Sequence, residues 1–223
     1  MLTSVYRLVR PRQFELVFND ITIDRTHVIV HPVRLSICNA DQRYYQGLRA
    51  VNILRQKLPM ALIHEAIGEV VYDPTGHFKE GTLVVMIPNT PVEKDNIIAE
   101  NYLRSSKFRA SGFDGFMQEY VSMEPDRLVV LPEDINLSVA AFTEIISVSY
   151  HAIQRFLHFS HERRNVIGVW GDGNLGYITA LLLKTILPDT KIYVFGVNEY
   201  KLHDFSFADE IYLVSDIPED LHL

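Results

Sequence analysis

Cys38 in LSICNADQRYYQG and the adjacent pair His64 and Glu65 in ALIHEAIGEV set a soft thiolate, an imidazole and a carboxylate at the ends of apolar segments in the first half of the chain. That mixture of donors suits a catalytic zinc with one coordination position left open for a reacting oxygen. On spacing alone the signal is weak, and a lone buried cysteine beside an unrelated histidine is the commoner situation. A second chemistry lies further on. Gly171, Gly173 and Gly176 form G-x-G-x-x-G in GDGNLG, directly after the apolar run VIGVW and directly before YITALLLKTIL. In that context the first glycine permits a tight turn, the second lets the backbone approach a pyrophosphate, and the third lets helix and strand pack closely. Gly171, Gly173, Asn174, Leu175 and Gly176 are therefore the expected dinucleotide-binding turn, with the helix N-terminus facing the anion.

The choice of dinucleotide depends on the end of the next strand, where NAD-preferring folds place an acid about 20 residues further on. Here KIYVF runs into Gly196 instead. A glycine leaves room for a 2′-phosphate that Asn198 or Lys201 would approach, which predicts NADPH, with Glu199 as the residue that would serve a ribose hydroxyl if NAD were used. A glycine that merely ends a strand stands beside this reading.

These residues need scaffolds, and the pattern of the chain supplies two. Up to about residue 135 short β-type runs alternate with turn residues: VYRLV, FELVF, THVIVHPVRLSIC, HEAIGEVVY, TLVVMIP, MQEYVSM and RLVVLP. A polar stretch, NTPVEKDNIIAENYLRSSKFRASGFDG, interrupts them and is long enough to be a lobe. After Pro132, LSVAAFTEIISVSYHAIQRFLHF has apolar residues at helical spacing and predicts one helix. Strand VIGVW, helix YITALLLKTIL, strand KIYVFG and strand EIYLV then predict a parallel α/β unit. The expected division is a β-rich domain over residues 1–138 and a dinucleotide-binding domain over 139–223. The 223 residues carry 21 basic and 28 acidic side chains, a net charge of −7, which argues against nucleic acid or anionic lipid as partner and favours a small molecule. One cysteine allows no intrachain disulfide and predicts a reducing, cytoplasmic setting; no apolar run approaches the ~20 residues that insertion in a bilayer requires. His27, His31, His77, His151, His158, His161, His203 and His222 show no further ligand spacing and are expected to be ordinary surface or core residues.

Nearly the whole chain resembles the zinc-containing medium-chain dehydrogenases. Cys38-Asn39-Ala40-Asp41 is similar to that family's first zinc-ligand motif, His64-Glu65 followed by Gly68 to its second, and Gly112-Phe113-Asp114-Gly115-Phe116 to a loop leading into a later strand. Thr143-Glu144, with Ser147 to His151, resembles an acidic segment of the polyol dehydrogenases. The resemblance implies a GroES-like β-rich catalytic domain followed by an incomplete Rossmann domain. It implies one catalytic zinc on Cys38, His64 and Glu65, with Glu144 as third or alternate ligand and Asp41 orienting His64 through its free ring nitrogen. Within the family, CNADQRYYQG, LPMALIHE, VVMIPN, SGFDGFMQEYVS and FSFA look like the branch of bacterial ribulose-5-phosphate reductases. That likeness implies NADPH delivering hydride to a ketose phosphate, whose ribitol product feeds CDP-ribitol and a teichoic acid or capsule polymer. It also suggests a homodimer, or association with a cytidylyltransferase. A different polyol with NAD, and an inactive metal-holding or interaction module, are the competing readings.

Two departures shape these expectations. Ala40 stands where many relatives carry a Ser or Thr that relays a proton, so Tyr44, Tyr45, or a water linked to Glu65 or Glu144 is expected to replace the relay. Arg43 is the expected phosphate clamp, with Tyr44 beside it at the substrate. The cysteine-free lobe predicts no second, structural zinc. The nucleotide domain ends after three expected strands, so low stability in isolation is expected from an uncovered sheet edge.

Overall fold

β-branched and aromatic runs broken by Gly, Pro and Asp give the first half of the chain a sheet architecture. The computed structural model describes residues 1–217. Two compact units are present, Met1–Glu144 and a second that starts at Ile145. The first opens with an antiparallel hairpin, β1 (Leu2–Arg10) and β2 (Gln13–Asp20), followed by β3 (Val28–Ser36). Two short helices, α1 (Asn39–Tyr45) and α2 (Val51–Lys57), precede β4 (Met60–Ala61), which pairs with the other edge of β1. Then come β5 (Glu65–Tyr72), β6 (Leu83–Met86), the small ladder of β7 (Asn89–Thr90) with β8 (Lys107–Phe108), β9 (Val121–Met123) and β10 (Leu128–Val130).

The main sheet is antiparallel and ordered β10-β6-β5-β3-β9. Val28, Val30, Val70, Val84, Met86, Phe116 and Met123 are fully or almost fully buried within it. Each buried side chain of this size contributes ~1.5–3 kcal/mol of transfer free energy. The strand expected over MQEYVSM is shorter, because its first half is drawn to the hairpin: Tyr6 N donates to the Met117 carbonyl, and Glu119 N donates to that of Ser4. The lobe contains the β7–β8 ladder and a single 3-10 turn at Glu100–Tyr102.

The segment expected as one helix after Pro132 is two, α3 (Leu137–Ala140) and α4 (Thr143–Phe159). Asn136 caps α3, its side-chain oxygen accepting from Ser138 N at 2.9 Å, and the Thr143 hydroxyl donates to the Ala140 carbonyl at 2.6 Å where the second helix begins. The division between units falls just after Glu144, inside α4.

The second unit is a parallel sheet ordered β11-β12-β13, formed by β11 (Val166–Trp170), β12 (Lys191–Gly196) and β13 (Glu210–Leu213). Helix α5 (Asn174–Ile186) joins the first two strands and α6 (Glu199–Leu202) lies between the second and third. Ile153, Ile167, Ala180, Leu183, Ile192, Val194, Leu202 and Phe205 form its core. Among the described residues β11 has β12 on one side and no strand on the other. No described helix is long and apolar enough to cross a membrane. His222 lies outside the described residues.

Candidate metal centre and nucleotide turn

Sheet register brings the two ligand segments together. Ser36 at the end of β3 lies opposite Glu65 at the start of β5, so Cys38, two residues past one strand end, meets His64 and Glu65 at the other. The thiol sulfur, an imidazole nitrogen and a carboxylate oxygen of these three residues all lie within 4.8 Å of one another. Asp41 fixes the approach. Its carboxylate accepts from the Cys38 amide at 3.0 Å and from the Ile63 amide at 2.9 Å, tying the start of α1 to the residue before His64. Asp41 is 3.8 Å from His64 Nδ1, beyond hydrogen-bond length, so its bonds go to the backbone of the ligand segments rather than to the ring expected from sequence. The Phe108 ring packs on His64 with centroids 5.4 Å apart. Ile63 itself has φ +74°, a strained backbone for a β-branched residue, held directly before His64.

The electrostatics call for a cation. Glu65 is 1% exposed, and neither of its carboxylate oxygens accepts a hydrogen bond from a nitrogen or hydroxyl among the described residues; the weakly donating Cys38 thiol faces it, and His64 Nε2 lies 3.9 Å from one oxygen, beyond hydrogen-bond length. Burial pushes the Cys38 thiol up, the Ala40 amide opposes this, and the carboxylates of Glu65 and Asp41 add to it. Burial also pushes Glu144 up, with His64 acting against it and Glu65 and Asp41 with it, which places Glu144 in the field of this cluster. A buried carboxylate without donors, beside a thiol and an imidazole, is unfavourable alone and is satisfied by a divalent ion. The donor set thus fits zinc.

A brace that sequence reading missed supports His64 from behind. Asp114 accepts from Arg7 Nε and Nη2 at 3.0 and 2.6 Å and from Ala61 N at 2.8 Å, joining the hairpin to β4. Gly115 N donates to the Ala61 carbonyl, Phe116 N to that of Ile63 and Met117 N to that of Leu62. A Cβ on Gly115 would lie 2.3 Å from the carbonyl oxygens of both Leu62 and Ile63, so only glycine fits. The G-F-D-G-F motif was visible as a loop, but its contact with the segment before His64 was not.

Helix α1 sorts the remaining expected residues. Asp41 and Tyr44, three apart, form its buried face, while Arg43 and Tyr45 are exposed. Tyr44, expected at the substrate and in the proton relay, is a core residue: its ring is 4% exposed among Leu8, Met60, Leu62 and Ile63, with the Arg49 guanidinium 5.0 Å above it. Tyr45 stacks on Phe14 at 5.9 Å.

In the second unit the glycine turn follows β11 as expected. Gly171 has φ +144°, and a Cβ on Gly176 would sit 2.0 Å from the Gly171 carbonyl oxygen, which fixes the tight turn. Gly173 is the N-cap of α5, and nothing lies within 4 Å of the position its Cβ would take, leaving open the approach to the helix N-terminus. Asn174 and Leu175, the first residues of that helix, are exposed. Gly196 does not keep space for a phosphate. A Cβ there would lie 2.8 Å from Asp172 Cβ and 2.7 Å from Leu202 Cδ2, so the glycine admits Asp172 instead. Asn198 caps α6, its side-chain oxygen accepting from Lys201 N at 3.3 Å. Lys201 lines a cavity of about 450 Å³ with Asp172, Gly173, Asn174 and Tyr177. Of the other histidines, His27 pairs with Asp24 at 2.9 Å and His31 Nδ1 bonds the Glu119 carbonyl oxygen.

The first unit, a β-rich sheet carrying a cysteine–histidine–glutamate cluster, belongs to the alcohol dehydrogenase GroES-like domain family, and a parallel strand–glycine turn–helix unit follows it. Residues 24–133 match the model of the alcohol dehydrogenase GroES-like domain. The chain is 59% identical over 223 residues to ribulose-5-phosphate reductase 2 of Staphylococcus aureus, covering 100% of this chain and 65% of the relative. It is 58% identical over 223 residues to ribulose-5-phosphate reductase of Bacillus spizizenii, again covering 100% of this chain and 65% of the relative. The crystal structure of S. aureus TarJ in complex with NADPH superposes with a TM-score of 0.81 at 50% identity, over 99% of this chain and 62% of that one. The chain thus spans about 65% of the length of the curated relatives it matches.

Proposed function

We propose that this chain carries the metal site and the pyrophosphate turn of an NADPH-linked, zinc-dependent reductase that converts D-ribulose 5-phosphate to D-ribitol 5-phosphate. The observation that carries the reading is the buried, donor-poor Glu65 carboxylate set against Cys38 and His64. The 59% identity to a ribulose-5-phosphate reductase supports the substrate, and the NADPH in the TarJ structure supports the cofactor. Cys38, His64 and Glu65 would hold the zinc, with Glu144 close enough in charge to act as alternate ligand. When bound, zinc supplies Lewis-acid polarisation of a carbonyl oxygen. Asp41 holds both ligand segments in place through their amides. With Ala40 lacking a hydroxyl and Tyr44 enclosed in the core, proton transfer falls to Tyr45, or to Glu65 or Glu144 through water. Arg43, exposed on α1, is the proposed contact for the substrate phosphate. Gly171, Gly173, Asn174, Leu175 and Gly176 cradle the pyrophosphate, and Lys201 faces the 2′-phosphate. The same reading places the enzyme in the cytoplasm, as a homodimer or beside a cytidylyltransferase that consumes ribitol 5-phosphate for CDP-ribitol and a teichoic acid or capsular polymer.

The test is NADPH oxidation by the zinc-loaded chain, offered D-ribulose 5-phosphate and D-ribulose in parallel. A preference of about tenfold or more for the phosphorylated ketose is expected from one charged phosphate contact. Equal rates on the two, or a rate with NADPH only on other polyol-derived ketoses, would contradict the proposed substrate.

A further inference from the structure

Asp172, the second residue of the glycine turn, does something that the dinucleotide motif does not require. Its Oδ2 accepts from Val197 N at 2.9 Å and from Asn198 N at 2.7 Å, so one carboxylate oxygen holds the two amides that follow the end of β12. The side chain reaches them because Gly196 has no Cβ to block it. These amides lead into α6, which bears Lys201. Burial opposes ionisation of Asp172, but the Asn198 and Val197 amides and the charge of Lys201 outweigh it and hold the carboxyl below its ordinary range. Asp172 and Lys201 both line the 450 Å³ cavity that begins at Gly173 and Asn174. Asp204 lines the same cavity, and Glu199 is exposed at the start of α6. A negative and a positive side chain therefore share the space where the ribose end of a dinucleotide would lie, although β12 ends without an acid of its own.

Resting on the proposed cofactor reading, we infer that Asp172 and Lys201 together set the choice between NADPH and NADH: Asp172 stands in from the glycine turn for the missing strand-end acid, and Lys201 offsets it. Asp172 favours a ribose hydroxyl and repels a 2′-phosphate; Lys201 attracts the phosphate. Asp172 also positions Lys201, because it ties down the loop that carries it.

The experiment is a titration of the chain with NADPH and, separately, NADH, following quenching of Trp170, the single tryptophan, which directly precedes Gly171. Asp172→Asn keeps an oxygen that accepts the Val197 and Asn198 amides and removes the charge. It is expected to raise the affinity for NADPH relative to NADH by about fivefold, the scale of one unit charge acting on a phosphate across partly solvated space. Lys201→Gln, on an exposed helix face, is expected to lower the same ratio by about tenfold and to leave the NADH affinity within about twofold. A ratio unchanged within about twofold in both variants, with both cofactors still bound, overturns the inference and leaves the cofactor reading standing. Binding of neither cofactor by the unsubstituted chain overturns the cofactor reading and this inference with it. If Asp172→Asn fails to fold, Lys201→Gln decides: equal losses for NADPH and NADH refute the paired role.

Discussion

Glu65→Met is expected to make the metal-free chain more stable while abolishing its ability to hold zinc. Glu65 is 1% exposed, and both its carboxylate oxygens lack a nitrogen or hydroxyl donor among the described residues. Without an ion, the folded state therefore bears the cost of burying a carboxyl group that no nitrogen or hydroxyl hydrogen bond satisfies, with His64 Nε2 standing off at 3.9 Å. Methionine fills similar volume with no polar oxygen, and its flexible side chain adapts to the pocket beside Cys38 and His64. A gain of ~2 kcal/mol in urea unfolding of the chelator-treated protein is the expected size, since replacement of buried ionisable groups by apolar ones falls in this range. With zinc present the order reverses, because only the unsubstituted chain gains the binding free energy. A loss of stability in the metal-free variant would show that Glu65 has a structural partner, and the reading of its carboxylate as a ligand waiting for an ion would fall.

The second large effect is expected at Gly115. Alanine there would drive a Cβ to 2.3 Å from two carbonyl oxygens, those of Leu62 and Ile63, and backbone at that distance cannot move aside as a side chain would. The hydrogen bonds from Gly115 N to the Ala61 carbonyl and from Phe116 N to that of Ile63 would open together. The cost is roughly 3 kcal/mol, the upper part of the range for overpacking a buried site. Because Ile63 precedes His64, zinc affinity should fall with it. Gly112→Ala is the comparison: Gly112 has φ +100°, but its nearest neighbour to a new Cβ is Lys57 Cγ at 3.8 Å. Backbone strain alone should then cost about 1 kcal/mol and leave zinc binding intact. Equal effects of the two substitutions in urea unfolding and zinc titration would refute the brace.

The contrast between these sites shows what a sequence can carry. Cys38, His64 and Glu65 were legible through their donor types together with the motifs around them, and the turn at Gly171–Gly176 through its place between an apolar strand and a helix, where a Cβ on Gly176 would meet the Gly171 carbonyl oxygen whatever the ligand. The β-rich half followed from its alternating runs. Helix α1 was not foreseen, because one of its two buried residues is Asp41, a polar residue that breaks the apolar period; α2 buries none of its residues and leaves no period at all. The continuous helix expected after Pro132 divides at Ala141–Phe142, where no glycine or proline marks the break. Tyr44 was assigned to the substrate because it stands beside Arg43 in sequence, whereas helical geometry turns adjacent residues about 100° apart and sends one inward and the other out. Gly196 was misjudged for a different reason. A position without a Cβ makes room for something, and the occupant, Asp172, lies on the preceding strand–helix turn, where no local pattern links it to β12. The bond between Arg7 and Asp114 spans 107 residues and was likewise beyond any local reading.

The central claim, a zinc site built from Cys38, His64 and Glu65 within this chain, is tested most directly by elemental analysis of the purified protein beside a Cys38→Ser variant. The account predicts about one zinc per chain, lost in the variant with the fold retained, since the open fourth position leaves only three protein ligands to share the ion. No zinc in the unsubstituted chain after equilibration with the ion, or equal zinc in both proteins, would contradict it.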